Sequence, residues 1–189
     1  MRSRFLVPTL FLAAAGLLAA EARAGSLAGV TLPDRATVGE QSLALNGLGL
    51  RSRYGIKVYV AGLYLAAKQS DPAAILAADA PRRMVMHFLR EVDRTRICEG
   101  WSEGLAANTA NPSAALRQQF GELCTQMADA AEGTEVVLTY LPGEGTSVQV
   151  GGAVRARIPG KEFADALLAC WIGPRPGPGE SFKRSLLGG

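Results

Sequence analysis

The sequence predicts an α+β domain in which helices are layered on one face of an antiparallel β-sheet. Segments with the alternating pattern of strands fill the first part of the chain and return near its end. Two segments with helical spacing lie between these groups, and another helical segment follows the last strand. Short turns rich in glycine and proline separate consecutive strands, which favours antiparallel pairing over crossover connections.

The first group of predicted strands comprises Gly29–Leu32, Gln41–Asn46, Tyr54–Leu65 and Arg83–Leu89. The third of these has the strongest strand signal because it is rich in Tyr, Val and Ile. Apolar residues occupy both of its alternating faces, so we expect it to be covered on both sides. Asp71 and Pro72 predict a short helix within this group, with aspartate as N-cap and proline at the first helical position.

The middle of the chain has helical periodicity. Asp93 is the predicted N-cap of a helix that runs to about Asn108. Its apolar residues recur at helical spacing, at Ile97, Trp101 and Leu105. Asn111 and Pro112 predict the start of a second helix by the same pattern of cap and proline. Because the connection is short, we expect the two helices to pack antiparallel.

Strand patterns then return at Thr134–Leu141, Thr146–Val150 and Val154–Ile158, with glycine-containing turns between them. A helix over Glu162–Trp171 is expected to cover the sheet, and a short terminal helix follows near Ser181–Leu187. The order of strands, paired helices, strands and a further helix is typical of an α+β domain.

Residues 1–24 have the three parts of a cleavable secretory signal peptide. Arg2 and Arg4 give a positive start, and Phe5–Ala20 is an uninterrupted apolar run. The tripeptide A-R-A at 22–24 is a small-x-small cleavage signature, so we expect cleavage before Gly25. The alternative is a retained membrane anchor, but the run is short for a span of about 20 residues.

Cleavage leaves 25–189 as a single domain in the periplasm or outside the cell. The whole chain has a formal net charge of +3, and the signal segment carries more arginine than acid, so the domain is nearly neutral. It has no basic run with interleaved aromatic residues, which argues against nucleic acid as a partner. No second apolar stretch predicts a membrane span, and the sequence does not indicate a protein partner.

The domain contains three cysteines, at Cys98, Cys124 and Cys170. We predict a disulfide between Cys98 and Cys124, because antiparallel packing of the middle helices brings them to similar heights in an oxidising compartment. Cys170 then remains a buried thiol; the alternative is three unpaired core cysteines. His87 is the one histidine and alternates with apolar residues, so we expect it to be half-buried and structural. Without a C-x-x-C pair, we expect no metal or cofactor.

The segment N-G-L-G-L-R at 46–51 superficially resembles a phosphate loop, but it lacks the third glycine and precedes a strand. A turn or bulge is the better interpretation. Beyond it, alternation places Lys57 and Tyr59 on one strand face. With Arg51 they predict a cationic, hydrogen-bonding site at one end of an apolar cleft, suited to a ligand with an anionic or carbonyl head. The pattern is equally compatible with Arg51 and Lys57 simply reaching solvent at a sheet edge.

Seven segments together resemble the chalcone isomerase-like family, in its bacterial exported branch. They read G-V-T-L-P at 29–33, L-N-G-L-G-L-R at 45–51, K-V-Y-V-A-G-L-Y-L at 57–65, H-F-L-R-E-V-D at 87–93, Y-L-P-G-E-G-T at 140–146, I-P-G-K-E-F-A at 158–164 and L-L-A-C-W-I-G-P at 167–174. These segments occur in order over nearly all of 25–189.

The resemblance implies an open-faced sandwich, with a cleft between an antiparallel sheet and the helices on one side. Plant members of the family cyclise chalcones to flavanones, whereas other members bind fatty acids and show no isomerase activity. Arg51 matches the arginine that steadies an enolate in the enzymes and holds a carboxylate in the binders. Tyr59 stands where the plant enzymes have threonine. The fatty-acid-binding members resemble this chain in having tyrosine at that position. The segment 93–104 lacks the tyrosine that the enzymes use.

We therefore expect a non-catalytic protein that binds a small apolar or fatty-acid-like ligand, with Arg51, Lys57 and Tyr59 at its head group. No appreciable chalcone cyclisation is expected, because positioned groups each contribute large factors to such chemistry. One alternative is a true isomerase or intramolecular lyase on a phenolic or enone substrate. Another is an interaction module of the cell envelope that binds no ligand.

Overall fold

The computed structural model describes residues 24–189, so the predicted signal peptide lies outside the described residues apart from its last position. The strands are β1 (Ala24–Leu27), β2 (Val30–Pro33), β3 (Arg35–Val38), β4 (Gln41–Arg53), β5 (Ile56–Leu65), β6 (Arg82–Phe88), β7 (Glu135–Leu141), β8 (Gly145–Val150) and β9 (Ala153–Ile158). The helices are α1 (Pro72–Ala77), α2 (Arg94–Asn108), α3 (Ala114–Thr125), α4 (Lys161–Ile172) and α5 (Glu180–Leu186).

Strands β3 to β9 form one seven-stranded sheet in which spatial order follows chain order. Every neighbouring pair in this sheet is antiparallel. Strands β1 and β2 form a separate hairpin, and β1 packs against β4. Helices α2 and α4 pack on each other and contribute to the core on one face of the sheet. The predicted fold class, an antiparallel sheet with helices layered on one face, is confirmed.

The central strands bury apolar side chains on both faces. Ala61 and Leu63 of β5 join the core beneath the helices. Val60 and Tyr64, which alternate with them, join a second core with Leu32 of the β1–β2 hairpin. This two-sided burial explains the nearly continuous apolar sequence of β5.

Two of the three predicted helix starts follow the expected caps, and one does not. The carboxylate of Asp71 accepts a hydrogen bond from the Ala73 amide at 2.8 Å, and that of Asp93 accepts from the Arg96 amide at 2.9 Å. Helix α3, however, begins after Ser113, whose hydroxyl is its capping acceptor. The prediction of Asn111 as cap was wrong because this residue has φ +51° and belongs to the preceding loop.

The strand predicted to end at Asn46 continues as β4 to Arg53. A register shift between Leu45 and Gly47 is the expected bulge, but the chain stays in the sheet beyond it. A Cβ atom on Gly47 would lie 2.1 Å from the Ser185 carbonyl oxygen, so glycine here lets α5 pack directly on β4. The glycines of this segment thus serve helix–strand packing.

Helices α2 and α3 are joined by the predicted Cys98–Cys124 disulfide, with Cα atoms 5.5 Å apart. Cys170 of α4 is a buried free thiol. His87 lies on the sheet face opposite the helices, half-buried, with its Nδ1 3.2 Å from a Glu135 carboxylate oxygen. The half-buried position predicted for His87 is confirmed.

Candidate ligand-binding cavity

A cavity of about 500 Å³ lies between one end of the sheet and the covering helices. Strands β4, β5 and β6 supply one wall, α2 and the end of α4 supply the other, and Gly177 and Pro178 border it. Apolar and aromatic side chains form much of the lining: Tyr54, Ile56, Val58, Tyr59, Met86, Phe88, Val92, Ile97, Trp101 and Trp171. The charged lining residues are Arg51, Arg53, Arg90, Arg96, Glu99 and Glu103.

Arg51 and Tyr59 converge on this cavity. They are direct partners in the antiparallel ladder of β4 and β5, so their side chains share a sheet face. Arg51 Nη1 donates a hydrogen bond to the Gly177 carbonyl oxygen at 2.7 Å. Within residues 24–189, Arg51 has no ion pair with a carboxylate. Its guanidinium therefore has N–H donors left for a ligand.

The Tyr59 hydroxyl is held in place at the inner wall. Trp171 Nε1 donates a hydrogen bond to it at 3.0 Å, and the Tyr59 side chain also packs edge-on against Phe182. Burial raises the pKa of Tyr59 to about 12, although the Trp171 hydrogen bond and the Arg51 charge act in the opposite direction. The hydroxyl is therefore neutral at physiological pH. Because it accepts from Trp171, its own proton is available to a ligand acceptor.

Lys57, the third predicted site residue, does not line the cavity. The register passes from Arg51–Tyr59 to Ser52–Lys57, which leaves Val58 as an extra residue in β5. This bulge breaks the alternation on which the Lys57 prediction rested. Val58 and Ile56 line the cavity instead, and Lys57 is exposed outside it.

Several lining residues were missed by the sequence interpretation. Trp171 was predicted only as the last residue of a helix that covers the sheet, yet it lines the cavity and donates a hydrogen bond to Tyr59, 112 positions earlier in the chain. Arg96, in the first turn of α2, was not among the predicted site residues, but it borders the cavity and pairs with Glu99 at 3.1 Å. No local sequence pattern predicts these contacts, because each depends on how α2 and α4 pack on the sheet.

The cavity offers binding groups more clearly than reactive ones. The Cys170 thiol lines it, but burial raises the pKa of this thiol to about 12 and keeps it protonated. His87 lies on the other face of the sheet. Residues 24–189 contain no cluster of His, Cys, Asp and Glu able to hold a metal ion. The chemistry on offer is hydrogen bonding, positive charge and apolar contact.

An antiparallel sheet with a cavity beneath its helices defines the class, an open-faced α+β sandwich. A model of the chalcone isomerase-like family matches residues 24–188, and the chain belongs to this family. A fatty-acid binding protein of Arabidopsis thaliana has the same fold, with a TM-score of 0.69 and 18% sequence identity over 88% of this chain and 96% of that one. No curated protein sequence matches this chain. Among residues 24–189, no helix is long and apolar enough to cross a membrane.

Proposed function

We propose that this protein binds a small apolar ligand with an anionic head group, of the fatty-acid type, and does not transform it. The observation that carries the proposal is the pairing of Arg51 with Tyr59 at the wall of a cavity that apolar and aromatic side chains line in large part. A cation without a carboxylate partner beside a neutral hydroxyl donor is complementary to a carboxylate.

The head group would accept hydrogen bonds from two directions. One N–H group of the Arg51 guanidinium donates to the Gly177 carbonyl oxygen, and the remaining N–H groups of this positively charged group can donate to the ligand. The Tyr59 proton supplies a second, neutral donor whose direction is fixed by the Trp171 contact. A carboxylate bridging these residues would make charge-assisted hydrogen bonds on one side and an ordinary one on the other.

The remaining lining suits the hydrocarbon part of such a ligand. Met86, Phe88 and Ile97 belong to the core beneath the helices and also line the cavity. Each methylene group buried against such walls contributes about 0.8 kcal/mol. Affinity should therefore increase with chain length until the cavity is filled.

The fold relationship supports the same proposal. The Arabidopsis relative is a fatty-acid binding protein, and at 18% identity its likeness establishes the shared fold. The protonated thiol of Cys170 and the neutral Tyr59 hydroxyl leave these two lining residues as poor bases. Both features favour binding over isomerase chemistry.

Ligand recovery tests this proposal. Protein purified from the cells that make it would be denatured, and the released small molecules identified by mass spectrometry. We expect a carboxylic acid with an apolar chain from the wild type and from Lys57→Ala, and much less from Arg51→Ala. Wild-type protein without any such acid, or full retention by Arg51→Ala, would contradict the proposal. Turnover of a chalcone or enone far above the spontaneous rate would favour the isomerase alternative.

We also propose that the protein is exported to the periplasm or secreted. The support is the three-part pattern of residues 1–24 and the pairing of Cys98 with Cys124, a bond typical of oxidising compartments. Intact-mass measurement of the protein from fractionated cells should show an amino terminus at Gly25. An uncleaved chain in the cytoplasmic fraction would contradict it.

A further inference from the structure

Two exposed apolar side chains lie at the mouth of the cavity. Three large apolar or aromatic side chains are exposed within residues 24–189: Tyr54 (90%), Val154 (65%) and Ile56 (50%). Tyr54 and Ile56 belong to the tip of the β4–β5 hairpin and both border the cavity. Val154 lies on β9, the edge strand at the far end of the sheet order. Two of these three exposed side chains are therefore adjacent at the entrance.

The backbone holds Tyr54 in a conformation that its side chain disfavours. Tyr54 has φ +52°, and Gly55 follows it with φ +77°. Hairpin turns of this kind normally take Asn, Asp or Gly at the first position, because residues with a Cβ atom are disfavoured there. No core contact accounts for the tyrosine, since its side chain is almost fully exposed. An outlier of this kind at a binding site points to a functional role for the ring.

Positive charge surrounds this tip. The Arg53 guanidinium lies 5.6 Å from the centre of the Tyr54 ring, and both Arg53 and Arg90 are exposed at the cavity mouth. Neither arginine has an ion-pair partner within the described part of the chain. Of the two lining carboxylates, Glu99 is paired with Arg96, which leaves Glu103 unpaired. The entrance therefore carries excess positive charge.

We propose that this tip docks the cavity mouth onto the surface of an anionic phospholipid bilayer. Tyrosine and arginine are suited to the interface, where an aromatic ring enters the headgroup region and a cation meets the negative surface. Ile56 adds apolar area beside the ring, and Arg53 and Arg90 supply the charge complementarity. The bilayer would then be the place from which an apolar ligand enters the cavity. Entry of a ligand from the bilayer rests on the proposed function, whereas docking on the bilayer requires no ligand.

Vesicle flotation tests the docking. The full-length gene would be expressed, and the purified protein mixed with vesicles of phosphatidylcholine alone or of equal parts phosphatidylcholine and phosphatidylglycerol. We expect association with the anionic vesicles that weakens when salt is raised from about 0.1 M to about 1 M, as the screening length shrinks. The double variant Tyr54→Ser/Ile56→Ser should lower the partition coefficient by about tenfold or more. Val154→Ser is the control, because it removes an apolar side chain whose exposure lies between those of Tyr54 and Ile56, at a position away from the cavity.

A second variant separates charge from apolar contact. Arg53→Glu/Arg90→Glu should lower association with anionic vesicles by about tenfold or more, with a much smaller effect on neutral vesicles. The proposal is overturned if wild-type protein fails to float with anionic vesicles, or if the tip variants and Val154→Ser all bind as the wild type does. Vesicle association is measured without added ligand, so its failure is distinct from failure to recover a bound acid.

Discussion

An arginine on a neighbouring strand lies across from each end of strand β5, and the two arginines differ in burial and in their partners. Arg51 lies across the ladder from Tyr59 at one end, and Arg82 lies across it from Leu65 at the other. Arg82 has a side chain only 6% exposed, forms an ion pair with Asp165 and donates to the Ile75 carbonyl oxygen at 3.3 Å. Arg51 has one backbone carbonyl as its partner and faces a cavity.

The difference separates a charge that is paired within the fold from one that we propose is available to a ligand. We call the end of β5 next to Arg82 the closed end and the end next to Arg51 the cavity end. At the closed end, Asp165 also pairs with Lys161 at 2.5 Å, and the Arg82 guanidinium lies 4.9 Å from the centre of the Tyr140 ring. The charges of Arg82, Lys161 and Asp165 thus compensate one another within the fold. At the cavity end the compensation is incomplete, and a bound carboxylate would supply the missing partner.

The largest expected effect tests the closed end. Asp165→Ala leaves the buried Arg82 charge without its partner, which should lower the free energy of unfolding by about 3–5 kcal/mol. Urea denaturation measures this. Glu144→Ala is the control, because it breaks an exposed ion pair with Arg157 and should cost about 1 kcal/mol or less. Equal effects of the two substitutions would remove the distinction between the buried and exposed pairs.

A disulfide bond anchors the helix that lines the cavity end, whereas ion pairs link the elements at the closed end. The Cys98–Cys124 bond fixes α2, which forms a cavity wall, to α3 across a sequence separation of 26. Replacing both cysteines by alanine should lower the free energy of unfolding by about 3 kcal/mol in the chain-entropy account.

Thiol titration of the denatured, unreduced protein gives the matching chemical test of this bond. One reactive thiol is expected, from Cys170. Three would exclude the bond. A reducing agent should destabilise the wild type and leave the Cys98→Ala/Cys124→Ala variant unchanged.

Arg51→Ala should affect binding more than stability, the reverse of Asp165→Ala. Loss of a charge-assisted hydrogen bond should weaken binding of a long-chain fatty acid by about 1.5–3 kcal/mol. Isothermal titration calorimetry with dodecanoate measures this directly. Lys57→Ala is the matched control, since Lys57 is exposed and outside the cavity lining. If Lys57→Ala weakened binding as much as Arg51→Ala, the assignment of the head-group site would fail.

The smallest binding effect is expected from Tyr59→Phe, which removes a neutral donor. Binding of the same fatty acid should weaken by about 1 kcal/mol. The substitution also leaves the Trp171 indole N–H without its acceptor, so some loss of stability should accompany it. A fatty-acid affinity equal to that of the wild type would show that the hydroxyl proton does not reach the head group.

Alkaline unfolding provides a second measurement on Tyr59→Phe. Burial raises the pKa of Tyr59 to about 12, whereas tyrosine in an unfolded chain has a pKa of about 10. Between these pH values the unfolded chain has lost a proton that the folded chain keeps, so the free energy of unfolding decreases as pH rises. The decrease should be less steep in Tyr59→Phe than in the wild type. Identical slopes would contradict the raised pKa.

Local chemistry in the sequence was sufficient for much of the fold. Asp93 caps α2 as predicted, because its carboxylate needs only an amide three residues away. The antiparallel order of strands followed from short turns, and the disulfide followed from two helices joined by a short loop. Arg51 and Tyr59 also share a face as predicted, since the ladder keeps them on one side of the sheet despite the bulge beside them.

The sequence by itself determined the element types, their antiparallel order, the cysteine pair and the shared sheet face of Arg51 and Tyr59, all features set by neighbours along the chain or across a short turn. Tertiary structure alone decided that Val58 would bulge and turn Lys57 away from the cavity. It also decided that Trp171 would orient a tyrosine 112 positions away, and that Gly47 would admit helix α5. These contacts depend on how separate elements dock, and their partners are too far apart in the chain for any local pattern to record them.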